Sequence, residues 1–129
     1  MPVTFSSNFV TLPGQYLTTA SASTDDYFVA SSALIVTATN DMDAITGLAA
    51  DLPPDGSFPS DGTLLFVINA SPVNTVIIPS NSASSTVGNR FQLAPFTTLT
   101  LAPNHAQLFF LVPDGPAPGW YPYIPGVLS

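Results

Sequence analysis

The sequence contains no lysine, no glutamate and no cysteine, and its 129 residues include one arginine, Arg90, and one histidine, His105. Each scarcity excludes something. Without cysteine there are no disulfides and no thiolate metal site, and the redox compartment is left open. A single histidine cannot build a histidine-rich metal centre. Eight aspartates against one arginine give a net charge of −7. That balance argues against nucleic acid as a direct ligand, because binding phosphates takes clustered Lys and Arg. The same balance argues against anionic membranes. No apolar run approaches the roughly 18 residues of a membrane-spanning helix. Met1-Pro2-Val3-Thr4-Phe5 has neither the basic region nor the apolar core of a signal peptide. The chain is therefore expected to be made in the cytoplasm and used uncleaved.

What is present is apolar and turn-rich. Hydrophobic residues make up 46% of the chain and charged residues 7%, against about 25% charged in an ordinary soluble domain. So few charges leave a weakly solvated surface, part of which is expected to be covered by a partner. Glu and Lys, good helix formers, are missing, while 14 Pro, 8 Gly and many Ser, Thr, Asn and Asp favour turns. Short strands joined by tight turns follow. The expected fold class is all-β, an antiparallel β-sandwich.

Three parts are expected: an extended N-terminal arm over 1–14, a single β-sandwich domain over 15–123 that ends in the Pro-punctuated, aromatic stretch Trp120-Tyr121-Pro122-Tyr123, and a C-terminal tail over 124–129. The arm carries Phe5 and Phe9, and either forms an edge strand of its own protomer or docks on a neighbour. Strands are expected at 15–19, at 27–30 and 33–39 as a hairpin, and at 63–69 paired with 74–79 through Ser71-Pro72-Val73. Further strands are expected at 88–93, 97–102 and 107–112, with a long Pro/Gly/Asp loop over 49–62. In 97–102, Thr98 and Thr100 alternate with Leu99 and Leu101, as for a strand with one wet face.

Leu64–Ile68 and Leu108–Val112 are apolar without polar alternation. Strands apolar on both faces need cover on both, normally from helices, and this chain offers no helix. One face then packs in the core and the other against a second copy of the chain. The candidate contact residues are Phe5, Phe9, Leu65, Val67, Phe109, Leu111, Trp120, Tyr121 and Tyr123.

No catalytic constellation emerges, and the chain is expected to be no enzyme. His105 follows Pro103-Asn104 at a turn, with no nucleophile-elbow sequence in the chain. Asp25-Asp26, Asp41 with Asp43, and Asp51 with Asp55 lack EF-hand spacing and read as turn chemistry. Whether any of them holds Ca²⁺ is left open by residue type alone. No cofactor is expected. Asn69-Ala70-Ser71 has the N-glycosylation pattern, but in a chain expected to stay in the cytoplasm it reads as coincidence. Asn89-Arg90-Phe91 stands out most. A guanidinium fork can hold several loop carbonyls at once, so Arg90 is expected to be a structural keystone. Its loss would cost about 3–5 kcal/mol if a partner were left buried and unpaired.

From Ala44 to Tyr121 the order of features resembles a β-sandwich module of tailed-bacteriophage virion proteins. The pieces are Ile45-Thr46-Gly47-Leu48, Asp61-Gly62-Thr63-Leu64-Leu65 leading to Asn69, Val76-Ile77-Ile78-Pro79, Asn89-Arg90-Phe91, Leu99-Thr100-Leu101-Ala102-Pro103, and Leu108-Phe109-Phe110 before Trp120-Tyr121. They cover about 60% of the chain, counted from those positions. Leu111-Val112-Pro113-Asp114 replaces the tyrosine-aspartate usual near the penultimate strand. The resemblance implies a trimeric, jelly-roll-like sandwich used as a capsid decoration (cement) protein, a head fibre or a tail-fibre tip. With so short a chain, the expectation is a homotrimer on the capsid exterior, bridging subunits of the major capsid protein. The alternative it implies is a fibre tip that binds host glycans through Trp120, Tyr121 and Tyr123.

Overall fold

The computed structural model describes residues 4–6 and 9–11 by their backbone, and 14–50 and 63–123 in full. Thirteen strands account for the regular structure among the described residues: β1 (Thr4–Ser6), β2 (Phe9–Thr11), β3 (Gly14–Thr18), β4 (Ser23–Thr24), β5 (Tyr27–Val29), β6 (Ala33–Thr37), β7 (Asp43–Ile45), β8 (Leu48–Ala50), β9 (Thr63–Asn69), β10 (Val76–Pro79), β11 (Thr98–Leu101), β12 (Ala106–Val112) and β13 (Gly119–Pro122). There is no helix among the described residues. The all-β expectation holds.

The strands form a five-stranded sheet in the order β13-β12-β9-β6-β3, a four-stranded sheet β11-β10-β7-β4, and two pairs, β1-β2 and β5-β8. Both larger sheets are mixed, which corrects the antiparallel expectation. β3 with β6, β6 with β9, β4 with β7 and β7 with β10 run parallel, while β12 pairs antiparallel with both β9 and β13. The cause is sheet switching. Between β3 and β6 the chain visits the four-stranded sheet at β4 and the small pair at β5, then returns in its original direction. Between β6 and β9 it makes the same excursion through β7 and β8. Parallel neighbours need such crossovers, whereas a tight turn gives antiparallel ones.

The same habit corrects two pairings. Residues 27–29 and 33–37 are not a hairpin, because β5 pairs with β8 and β6 lies between β3 and β9. Residues 63–69 do not pair with 76–79, because the chain leaves the five-stranded sheet after β9 and enters the other at β10. The apolar stretch 44–48 is likewise divided, with β7 and β8 separating at Thr46-Gly47. Of the expected 49–62 loop, Ala49 and Ala50 complete β8, and 51–62 lies outside the described residues, as does the 124–129 tail. Within the expected 1–14 arm, β1 and β2 pair with each other, Phe5 opposite Val10 and Ser6 opposite Phe9.

One apolar core joins the two larger sheets. Leu34, Val36, Leu65, Val67 and Phe109 enter it from the five-stranded sheet, and Ile45, Val76, Ile78 and Leu101 from the four-stranded one. Strand alternation sends the intervening residues to the opposite face of the five-stranded sheet. There Phe66, Ile68, Leu108 and Phe110 are only half-buried. β11 behaves as its alternation predicted, with Thr98 and Thr100 exposed and Leu101 buried. Asp26, Asn81 and Asn104 sit at turns with φ of 48°, 47° and 63°, the left-handed region that Asp and Asn tolerate best after glycine.

Candidate functional site

The segment 85–93 is where the separate sheets are tied together. It is not the strand expected over 88–93. Residues 87–89 form a turn, and Arg90 and Phe91 make only isolated bridges. Three such bridges meet here: Gly47 with Arg90, Ser80 with Phe91, and Phe91 with Trp120. The Leu48 amide donates to the Asn89 carbonyl at 2.8 Å, which anchors β8. Trp120 N–H donates to Arg90 O at 2.9 Å and Gln92 N–H to Trp120 O at 2.8 Å, so residues 90–92 occupy the outer edge of β13. Asn81 N–H donates to Phe91 O at 2.7 Å, linking the same segment to the end of β10.

Side chains reinforce this junction. Phe91 is fully buried with its ring 4.9 Å from that of Phe109, the two planes inclined at 60°. The Arg90 Nε donates to the carbonyl of buried Ser85 at 2.8 Å, and Nη1 donates to Asn81 Oδ1 at 3.2 Å. Arg90 therefore clamps a loop carbonyl, as its fork allows. The Asn89 amide donates to Asp26 Oδ1 at 2.9 Å, and the Trp120 indole to Leu48 O at 2.9 Å across 72 residues of sequence.

Two glycines make room for it. A β-carbon on Gly47 would lie 2.5 Å from the Ser85 side chain and 2.8 Å from Asn89 O. At Gly119 the φ is +144° and a β-carbon would meet the Arg90 carbonyl.

The aspartates are acceptors in this scaffold. Asp26 takes Thr86 N–H at 2.9 Å and the Thr86 hydroxyl at 3.0 Å, besides Asn89. Its carboxyl is held below the usual range, chiefly by the Asn89 hydrogen bond, partly offset by desolvation and assisted by Thr86 and the Arg90 charge. Asp25 is lowered as well, first by the Ser23 hydroxyl at 2.6 Å and then by Thr46, against desolvation and the neighbouring Asp26. Asp43 is buried and accepts from Thr19 Oγ1 at 2.6 Å and Asn40 N at 3.1 Å. Asp41 caps Thr75 N–H at 2.8 Å. Among the described residues no three His, Asp or other ligating side chains gather into a metal-holding group. Asp51 and Asp55 lie outside the described residues. His105 is exposed at its turn, its Nδ1 2.9 Å from Pro103 O.

Asn69 is a node that residue type alone did not reveal. It is fully buried. Its amide donates to Asn74 O and Leu101 O at 2.9 Å each, and its Oδ1 accepts Ser71 N–H at 3.0 Å. Both amide hydrogens are thus engaged inside the protein, and the glycosylation pattern at 69–71 presents no free acceptor. The one sequence signal for it was a polar residue ending an apolar strand.

The expected contact residues divide by face. Leu65, Val67, Phe109, Leu111 and Trp120 are buried in the protomer's own core and offer nothing to a neighbour. Their strands' other face does: Tyr121 is half-buried and Tyr123 is 50% exposed. With Trp120 internal, the three-ring glycan platform also loses its largest member. The side chains of Phe5 and Phe9 lie outside the described residues. A separate groove of about 200 Å³ opens between β11, β12 and β13, lined by Leu93, Phe96, Leu99, Gln107 and Pro122 among others.

No protein-family model matches the chain, and no curated protein or solved structure matches it.

Proposed function

We propose that this chain is a non-enzymatic structural protein of a virus particle, a capsid decoration protein. In this reading it is a jelly-roll-like β-sandwich that assembles as a homotrimer, sits on the capsid exterior and bridges subunits of the major capsid protein. The observation that carries the reading is spatial. Three sequence pieces that resemble the bacteriophage module, far apart in the chain, meet in one hydrogen-bonded unit. Leu48 binds both Asn89 and the Trp120 indole, Gly47 bridges Arg90, and Phe91 bridges Trp120. Agreement between an order of short motifs and their convergence is what a shared module requires. The core common to the four- and five-stranded sheets supports the sandwich architecture.

The mechanism would be mechanical. Each trimer buries apolar surface against neighbouring capsid subunits, at about 25 cal/mol per Å² before the ordering and docking costs of association. Such contacts resist separation of the subunits under internal pressure. The test is to separate capsids from tails and probe each fraction for this protein. Recovery with capsids is expected. Recovery with tails alone overturns the decoration reading and favours a fibre tip.

A further inference from the structure

The connection from β12 to β13 runs through Pro113-Asp114-Gly115-Pro116-Ala117-Pro118, and 114–117 are all exposed. Its downstream half is tied to the body of the protein. Tyr121 Oη donates to Ala117 O at 2.6 Å, and Gln92 Nε2 to Pro118 O at 3.2 Å. In the upstream half the Gly115 amide donates to the carboxylate of the residue before it, reaching Asp114 Oδ1 at 2.8 Å. Gly115 has a φ of +103°, and a β-carbon added there would meet nothing within 4 Å. A backbone nitrogen and its own neighbour's carboxyl group thus lie side by side in open space.

We infer that Asp114-Gly115 is a site of spontaneous backbone modification, where the aspartate closes to a succinimide and reopens as isoaspartate. The Gly115 nitrogen attacks Asp114 Cγ. An N–Cγ bond forms, a Cγ–O bond breaks, and the carboxyl hydroxyl leaves with the amide proton as one water. Water then adds back to the five-membered ring. Opening at Cγ restores aspartate, whereas opening at the Asp114 main-chain carbonyl leaves Gly115 joined to Cγ. The chain then runs through the β-carbon, and no oxidant, metal or enzyme takes part. Such an intramolecular step needs its reacting atoms held about 3–3.5 Å apart, and Cγ is one bond from the oxygen that the Gly115 amide already contacts.

Geometry separates Asp114 from the other described aspartates. Asp25, Asp26, Asp41 and Asp43 are each followed by a residue whose side chain crowds the attacking nitrogen. Their carboxylates are also turned to distant donors, Asp25 to Thr46, Asp26 to Asn89, Asp41 to Thr75 and Asp43 to Thr19. Asp114 alone among them accepts from the next amide in the chain. Asp55-Gly56 and Asp61-Gly62 lie outside the described residues. The fold can absorb the product. Isoaspartate adds one methylene to the backbone beyond the last ladder pair, Val112 with Gly119, so the β12–β13 register and the burial of Leu111 and Trp120 are kept. The inference stands apart from the decoration reading and does not depend on it.

The test ages the full chain for weeks at physiological temperature and mildly alkaline pH, beside a free peptide spanning 112–120. Chymotryptic peptides are then mapped by mass spectrometry, with fragmentation that distinguishes isoaspartate from aspartate. Unfolding curves taken throughout confine the comparison to folded chain. Isoaspartate at 114 should accumulate at least as fast in the folded chain as in the peptide, preceded by a form lighter by one water. Residues 25, 26, 41 and 43 should remain aspartate. Gly115→Ala, whose added β-carbon meets no neighbour, should slow conversion several-fold. Asp114→Asn presents an amide to the same nitrogen and should convert faster, with release of ammonia. A folded chain that keeps Asp114 while the peptide converts overturns the inference, as does isoaspartate forming at 114 no faster than at 41.

Discussion

Gly119 lies so close to Arg90 that a β-carbon added to it would sit 2.2 Å from the Arg90 carbonyl oxygen. The same carbonyl accepts the Trp120 amide at 2.9 Å, so the approach is what ties residues 90–92 to β13. Gly119→Ala should therefore destabilise by about 3 kcal/mol or more, combining a backbone clash with strain at φ of +144°. Gly88 is the control. Its φ is +98°, but a β-carbon there meets nothing within 4 Å, so Gly88→Ala should cost only the strain, about 1 kcal/mol. Urea midpoints of the two variants decide it, and equal losses would refute the close-approach account.

Arg90→Ala should cost about 1–3 kcal/mol, the penalty of leaving the buried Ser85 carbonyl without its donor. This is smaller than the 3–5 kcal/mol expected for a severed buried ion pair, because the partners found are neutral oxygens and Asn81 is exposed to water. Arg90→Lys keeps the charge and loses the fork, so it should recover little of the loss. Full recovery in Lys would show that charge rather than the Ser85 clamp matters. Equilibrium unfolding of both variants distinguishes the two.

Sequence patterns located these elements better than they related them. β9 and β12 were legible as strands because their β-branched and aromatic runs admit little else. Which of their faces is internal was not legible. Period-two alternation locates a core only when one side is polar, and here Leu65 and Val67 alternate with Leu64, Phe66 and Ile68. Five of the expected contact residues, Leu65, Val67, Phe109, Leu111 and Trp120, accordingly fall in the core-facing set. Pairings failed for a different reason. Adjacent runs suggest hairpins, yet after β9 the polar node at Asn69 and the loop through Ser71 carry the chain into the other sheet. Arg90 was legible as the lone cation in a Gly-Asn turn, but its neighbours Gly47 and Trp120 are 43 and 30 residues away, beyond any local pattern.

Asn69 supplies a sharper test of the polar node. Asn69→Ala leaves the buried Ser71 N–H and two carbonyls short of a partner and should cost about 2–4 kcal/mol. Asn69→Asp is expected to cost more, because a carboxylate would face the carbonyls of Asn74 and Leu101 that now receive amide hydrogens. Burial and those carbonyls would raise the new carboxyl's pKa in the folded state. The deficit of Asn69→Asp relative to wild type should then shrink as pH falls and the group is protonated. Denaturant unfolding at neutral and mildly acidic pH reads this directly, and a pH-independent deficit would contradict the assigned amide contacts.

Protonation of Asp25 and Asp26 should weaken the junction in acid. Both carboxyls are held below their ordinary value in the folded chain, Asp25 chiefly by the Ser23 hydroxyl and Asp26 chiefly by the Asn89 amide. A depressed folded pKa means the unfolded chain takes up protons first as pH drops. Their stabilisation is therefore complete above the unfolded carboxylate range near pH 4 and is lost as pH falls through the lowered folded values. Both groups are largely solvated, so the loss should be modest, as for exposed charges generally. Asp26→Asn removes one titrating group and puts an amide where Thr86 N–H, the Thr86 hydroxyl and Asn89 all donate. It should lower the neutral-pH unfolding midpoint and flatten the decline between neutrality and acid. If the variant declines as steeply as wild type, the acid sensitivity lies in other carboxylates and the Asp26–Asn89 contact contributes nothing measurable to it.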